Sequence, residues 1–193
     1  MRKKFLKMLL GDRVSMRYIR IPKDRVAVLI GHKGETKKQI ETKGEIKLEI
    51  DSAEGEVAID DHESSDPLVG IKIENIVRAI GRGFSPEKAL VLFKDDMEFF
   101  LFDIHDYVGK KPTQIRRLKS RVIGRDGKTK RVIEELTGAH LCVYGHSIGL
   151  IVDLETLDVV KRAVDMLLTG SKHASVYKFI EREMKKLKLG GAW

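Results

Sequence analysis

A chain of 193 residues, 42% apolar and with a formal net charge of +8 at pH 7, has room for two small folded domains. That charge favours an anionic partner, nucleic acid first and an acidic membrane surface second. The single cysteine, Cys142, excludes an intramolecular disulfide framework, and no apolar run approaches the roughly 18 residues of a membrane span. A cytoplasmic location with no membrane partner is therefore expected.

Residues 1–12 read as a basic arm, with Arg2, Lys3, Lys4 and Lys7 among Phe5, Leu6, Met8, Leu9 and Leu10. They lack the apolar length and cleavage site of a secretory signal. Met16 to Ile21 alternates as a short strand that Pro22 stops. Helices follow over Lys23 to Ile30 and Glu35 to Lys43, then a half-buried strand with Ile46, Leu48 and Ile50 inward. Val57 and Ile59 suggest its hairpin partner. After an acidic loop, Asp66 can cap a third helix and Pro67 fits its first turn, with Ile73, Ile76, Val77 and Ile80 as the apolar stripe.

A connector over 84–97 contains a short helix that starts at Ser85-Pro86. A strand is expected from Phe99 to Val108, then helical spacing at Ile115, Leu118 and Val122, broken by glycines and resumed at Thr129, Val132, Ile133 and Leu136. Leu141 and Val143, then Ile148, Leu150 and Val152, form two strands around Gly145. A helix over about Glu155 to Thr169 buries Val160, Val164, Leu167 and Leu168. A last amphipathic helix places Val176, Phe179, Ile180, Met184 and Leu187 on one side, to pack on the body.

The order strand, helix, turn, helix, strand, strand, helix thus occurs twice. Gly31-His32-Lys33-Gly34 recurs as Gly124-Arg125-Asp126-Gly127, 93 residues later. Ile30 and Ile123 precede the two copies, Thr36-Lys37 and Thr129-Lys130 follow, and then Ile40-Glu41 and Ile133-Glu134. Gly44 and Gly138 open the next segment after a one-residue slip.

A G-x-x-G turn between two helices lets the backbone approach a phosphodiester, because glycine removes a colliding Cβ or permits positive φ. Amide hydrogens at the start of the following helix then face the anion. This is the K-homology (KH) scheme, which clamps about four single-stranded nucleotides. The expected fold is therefore α+β: two tandem type I (eukaryotic-type, βααββα) KH domains, over 13–83 and 98–170, with a C-terminal helix and tail over 171–193. The expected RNA-binding residues of the first domain are Ile30, Gly31, His32, Lys33, Gly34 and Lys37. Those of the second are Arg117, Lys119, Arg121, Ile123, Gly124, Arg125, Asp126, Gly127, Lys128, Lys130 and Arg131. From Lys110 to Arg131 the only acid is Asp126, whereas Glu35 and Glu41 dilute the first turn. The second module should supply most of the RNA affinity.

Gly127-Lys128-Thr129 is no nucleotide loop, since the glycine required five residues earlier is Val122. Asp95, Asp96, Glu98, Asp103 and Asp106 could hold Mg²⁺ in a nuclease but read better as solvating residues. His140, Cys142 and His146 lack the fourth ligand of a zinc site. No catalytic residue, cofactor or metal is expected.

Arg82-Gly83-Phe84 with Glu87-Lys88-Ala89-Leu90, then Ile123 to Lys130, Leu168-Thr169-Gly170-Ser171 and Val176-Tyr177, carry a likeness that runs over nearly the whole chain. It resembles the partner-of-Nob-one, or Dim-two-like, KH proteins of small-subunit ribosome assembly, in archaeal form. The resemblance implies binding of single-stranded pre-ribosomal RNA near the 3′ end of the small-subunit RNA. It also implies assistance to the endonuclease that matures that end, alongside other pre-small-subunit proteins. Eukaryotic relatives tend to lack a proper first G-x-x-G, whereas the one here is complete, so a purely scaffolding first domain does not carry over. The rival is a protein-interaction adaptor that uses KH folds as scaffold.

Overall fold

The computed structural model describes residues 16–62, 64–66 and 68–190. The basic arm expected over 1–12 and Pro67 lie outside them. The chain divides into two compact units, the first ending at Arg78 and the second starting at Ala79.

The first unit runs β1 (Met16–Arg20), α1 (Lys23–Ile30), a tight turn over His32–Gly34, α2 (Glu35–Gly44), β2 (Lys47–Asp51), β3 (Glu56–Asp60) and most of α3 (Val69–Gly81). Its sheet has the order β1-β3-β2, antiparallel throughout. Alternation in β2 sends Leu48 inward and leaves Lys47 and Glu49 in water. Leu29, Ile40, Leu48, Val57, Ile59, Ile73 and Ile76 are all buried. Asp66 Oδ1 accepts the Leu68 N–H at 2.8 Å just before α3. That bond, and then Lys72, holds the Asp66 carboxyl below the usual carboxylate range.

The second unit repeats the order. It contains α4 (Pro86–Ala89), a single turn over Leu90–Phe93, β4 (Met97–Asp103), α5 (His105–Val108), α6 (Pro112–Ile123), a turn over Arg125–Gly127 and α7 (Lys128–Thr137). Then come β5 (His140–Tyr144), β6 (Ser147–Asp153), α8 (Leu157–Leu168) and α9 (His173–Gly190). The sheet order β4-β6-β5 reproduces that of the first unit. The result is the mixed helix-and-strand, KH-type arrangement that the element order implies.

The central strand β6 is buried along both faces from Ser147 to Val152. The ring of Phe84, itself buried, packs where a side chain at Gly149 would stand, and meets Phe99 edge-on at 6.2 Å between centroids. The connector thus supplies core. Val176 and Ile180 of α9 are fully buried in the core of this unit, with Phe179 and Met184 against it. Burying such a side chain is worth about 1.5–3 kcal/mol. Leu187, placed on the same stripe from its spacing, is exposed.

Two local expectations change. The strand expected over 99–108 stops at Asp103, because its Oδ1 accepts the His105 N–H at 2.8 Å and starts the short helix α5. Nor are Gly44 and Gly138 equivalent. The left-handed residue that ends α7 is Gly138 (φ 74°), and its counterpart at the end of α2 is Glu45 (φ 52°), at the regular offset without a slip. Gly44 is small for another reason: a Cβ there would lie 2.9 Å from Ile73 Cδ1.

The repeated Ile-Glu pairs also acquire a structural meaning. Ile40 and Ile133 are fully buried. Glu41 Oε1 accepts the Leu48 N–H at 2.9 Å and Glu134 Oε1 the Leu141 N–H at 2.8 Å, each tying a helix to the following strand. Substituting Glu134 with Ala leaves the Leu141 amide without its acceptor. Chemical denaturation should show a loss of about 1–3 kcal/mol, and Glu41→Ala a loss of the same order. Tyr107 donates to Asp165 Oδ1 at 2.8 Å. Burial, and then that bond, pushes its hydroxyl up to about 12. Since the folded value lies above the unfolded one of about 10, its contribution is complete below about pH 10 and is lost towards about pH 12. Denaturant midpoints across that range should show this loss in the native chain and a shallower slope in Tyr107→Phe.

Candidate nucleic-acid interface

The two tetrapeptides have one backbone. Gly31 (φ 77°, ψ 176°) matches Gly124 (77°, 173°), Lys33 (50°, 28°) matches Asp126 (52°, 31°), and Gly34 (80°, 12°) matches Gly127 (74°, 10°). Three of four residues in each copy are at positive φ, so the chain reverses between two helices in four residues. The first glycine is required twice over. Its φ/ψ pair suits glycine alone, and a Cβ would stand 2.7 Å from Thr36 N in the first unit and 2.6 Å from Thr129 N in the second. Those threonines are buried. At Gly34 and Gly127 nothing lies within 4 Å, so only conformation demands glycine there.

Gly34 and Gly127 are the N-caps of α2 and α7, and neither helix start has a side-chain cap. The first amides bond within the turn instead, Gly34 N–H to Gly31 O at 3.3 Å and Glu35 N–H to His32 O, with Gly127 N–H to Gly124 O at 3.3 Å and Lys128 N–H to Arg125 O in the second copy. What each start offers an anion is the positive end of the helix dipole. In the first unit His32 and Lys33 are exposed at the turn, and Lys37 leans to Glu41 at 3.8 Å. Ile30 is half-buried, as is Ile123 in the second unit.

Around the second turn the structure brings Arg117, Arg121, Arg125 and Lys128 together with Gly124 and Thr129 in a cleft of about 530 Å³. Arg117, Arg125 and Lys128 are exposed there. Arg121 is committed elsewhere: Nε donates to Leu167 O at 2.9 Å and Nη2 to Ser171 O, which straps the end of α6 to the α8–α9 junction. Arg131 donates to Asp126 O at 3.3 Å and braces the left-handed residue of the turn. Lys119, Ile123, Asp126, Gly127, Lys130 and Arg131 do not line the cleft.

Four lining residues, Ser120, Thr129, His173 and Tyr177, were not among the expected contacts. His173 and Tyr177, one turn apart on α9, close the cleft opposite the arginines. The Tyr177 hydroxyl donates to Thr129 Oγ1 at 3.1 Å, and His173 Nε2 donates to the Arg121 carbonyl at 2.9 Å, a last-turn oxygen of α6. The apolar stripe of α9 gave its packing, but only the tertiary fold gives its polar flank. In the first unit the cleft found along α2 holds about 390 Å³, is lined by Glu35, Lys38, Gln39, Thr42 and Lys43, and contains none of the expected site residues.

Comparisons with known proteins bear on the family and the KH-type fold. The family model of the second Pno1 domain, described as eukaryotic type KH-domain (KH-domain type I), matches residues 98–185. A KH domain-containing protein of Methanocaldococcus jannaschii is 49% identical over 180 residues, covering 93% of this chain and 78% of that protein. The RNA-binding protein pno1 of Dictyostelium discoideum is 26% identical over 165 residues, 84% of this chain and 69% of its own. A chain of the a/eIF2alpha–aDim2p–rRNA complex from Pyrococcus horikoshii superposes with a TM-score of 0.84 at 41% identity, covering 91% of this chain and 97% of that one.

The two glycines of the second turn should separate under substitution. Gly127→Ala adds only left-handed strain, about 1–2 kcal/mol. Gly124→Ala also drives a Cβ into Thr129 and should cost on the order of 3 kcal/mol, as read by thermal or denaturant unfolding.

Proposed function

The chain belongs to the Pno1- and Dim2-like family of KH proteins, and from that premise we propose that it is an RNA-binding pre-rRNA-processing factor. It acts through two tandem type I KH domains, over 13–83 and 98–170, that clamp single-stranded RNA near the 3′ end of the small-subunit rRNA. The observation that carries this reading is the cleft at the second turn, where Arg117, Arg125 and Lys128 stand exposed around Gly124 and the start of α7. Such a group of cations neutralises consecutive phosphates while the positive end of the α7 dipole faces one of them.

Roles follow from placement. Arg125 and Lys128 meet phosphate at the turn, and Arg117 extends the contact along α6. Arg121 and Arg131 act by positioning, through the carbonyls they hold. Lys119 and Lys130 add to the field, Asp126 contributes its backbone conformation, and Ile123 walls the groove for bases. In the first domain His32 and Lys33 face phosphate beside Gly31 and Gly34, with Lys37 behind them and Ile30 as the wall. The partners proposed are rRNA, a translation-initiation-factor α subunit like the one assembled with Dim2p in the Pyrococcus complex, and the endonuclease that matures the 3′ end. The chain assists that cut and does not make it.

Fluorescence anisotropy with a single-stranded RNA of the small-subunit 3′ region, across a salt series, tests this reading. The native chain should show a steep fall of affinity with salt. The pair Arg125→Asp and Lys128→Ala, which leaves the glycines and hence the turn intact, should weaken binding by about 10–100-fold and reduce the salt slope by about 1–2. His32→Asp with Lys33→Asp should do less. Intact binding after the second-turn change, with loss after the first, would reverse the ranking. Salt-insensitive association with a protein partner, and no RNA affinity, would replace the RNA reading with the adaptor.

A further inference from the structure

Three side chains converge at one end of the second sheet, apart from the basic cleft. Asp103 closes β4, His105 opens α5, and His146 follows Gly145 in the β5–β6 turn. The frame beneath them is fixed by the backbone. Asp103 stands opposite Ser147 in the antiparallel register, and Ile104 N donates to His146 O at 2.8 Å. The hydroxyl of Ser147 donates to Tyr144 O at 3.0 Å across the same turn. Asp103 Oδ1, by accepting the His105 N–H at 2.8 Å, orients its carboxylate with the strand end.

On that frame, His105 Nδ1 lies 3.1 Å from Asp103 Oδ1 and His146 Nε2 lies 3.7 Å from Asp103 Oδ2. The imidazoles stack with centroids 4.4 Å apart and planes 24° from parallel. One donor atom from each residue lies within 4.8 Å of the other two. Among the described residues, His140 and Cys142, grouped with His146 by sequence proximity, take no part in any such trio.

We propose that Asp103, His105 and His146 form a binding site for a divalent transition metal of the zinc class. Two imidazoles and one carboxylate are the donor set of Zn²⁺, Co²⁺ or Ni²⁺, whereas Mg²⁺ and Ca²⁺ prefer oxygen throughout. A tetrahedral shell sets its donors about 3.3 Å apart, so loading draws the present trio together by on the order of 1 Å. Side-chain exposures of 42% for Asp103, 29% for His105 and 44% for His146 leave room for that movement and for water as the fourth ligand. The ion staples the end of β4 to the β5–β6 turn. Because two separate segments of the folded chain supply the ligands, it binds the folded state preferentially and stabilises it.

Titration of tag-free protein with Co²⁺ and Zn²⁺, by calorimetry and by the visible spectrum of Co²⁺, tests the site. Stoichiometric binding, a ligand-field spectrum without a thiolate charge-transfer band, and a raised Tm are expected. Asp103→Asn, which keeps an oxygen to accept the His105 N–H, and His146→Ala should each weaken binding more than tenfold. The circular dichroism spectrum and RNA affinity should stay unchanged. Equal Co²⁺ affinity in the native chain and in the His105→Ala/His146→Ala double variant would overturn the proposal. So would a thiolate band, which would put the ion on Cys142.

Discussion

The close approach of Gly31 to Thr36, and of Gly124 to Thr129, is the contact on which the rest of each unit depends. A Cβ at either glycine would stand less than 3 Å from the threonine nitrogen. Its absence lets the second helix of the pair begin immediately beneath the turn. The buried threonine then fixes where that helix starts, and one turn later Ile40 or Ile133 enters the core. The neighbouring Glu41 or Glu134 holds the amide of the next strand. One glycine therefore sets, in succession, the reversal of the chain, the seat of the helix and the attachment of helix to sheet. The same reversal brings the positive end of that helix to the turn, so the geometry that builds the core also sets the face proposed for the anion.

With a common backbone, the difference between the turns is one of side chains and neighbours. In the second unit the helix before the turn supplies Arg117 and the strut Arg121, the turn supplies Arg125, and α9 closes the far side with His173 and Tyr177. Tyr177 bonds the very threonine that abuts Gly124. The C-terminal helix is thereby joined to the Gly124–Gly127 turn, and its apolar side is anchored by Val176 and Ile180. In the first unit His32 and Lys33 stand exposed, without such a surround among the described residues, and Glu41 draws Lys37 aside. Equal turns with unequal electrostatic settings favour unequal shares of the phosphate contact.

What could be read from the sequence follows the range of each interaction. The doubled turn and the alternation at Ile46, Leu48 and Ile50 are local signals, as is the stripe Val160, Val164, Leu167 and Leu168, and the structure places them as their periodicity implies. The helix starting at His105 was hidden because one carboxylate, accepting the His105 N–H, outweighed the β propensity of the preceding aromatic run. Glu45 in a left-handed conformation misled the alignment of the repeats, since glycine is the usual residue there. Phe84 over Gly149, His173 and Tyr177 beside the turn, and the Asp103–His105–His146 trio all join residues far apart in sequence. No periodicity announces them. The chemistry of the trio lay in the sequence, but proximity along the chain suggested the wrong companions for His146.

The central claim is that both turns set the positive start of a helix against the phosphates of a single RNA strand. Amide-resolved NMR during titration with single-stranded RNA measures that directly. The account predicts shifts at the Gly31–Lys37 and Gly124–Lys130 amides, larger at the second turn, that vanish together at high salt. Shifts confined to the outer face of α9 or to the edges of the sheets, with both turns silent, would contradict it.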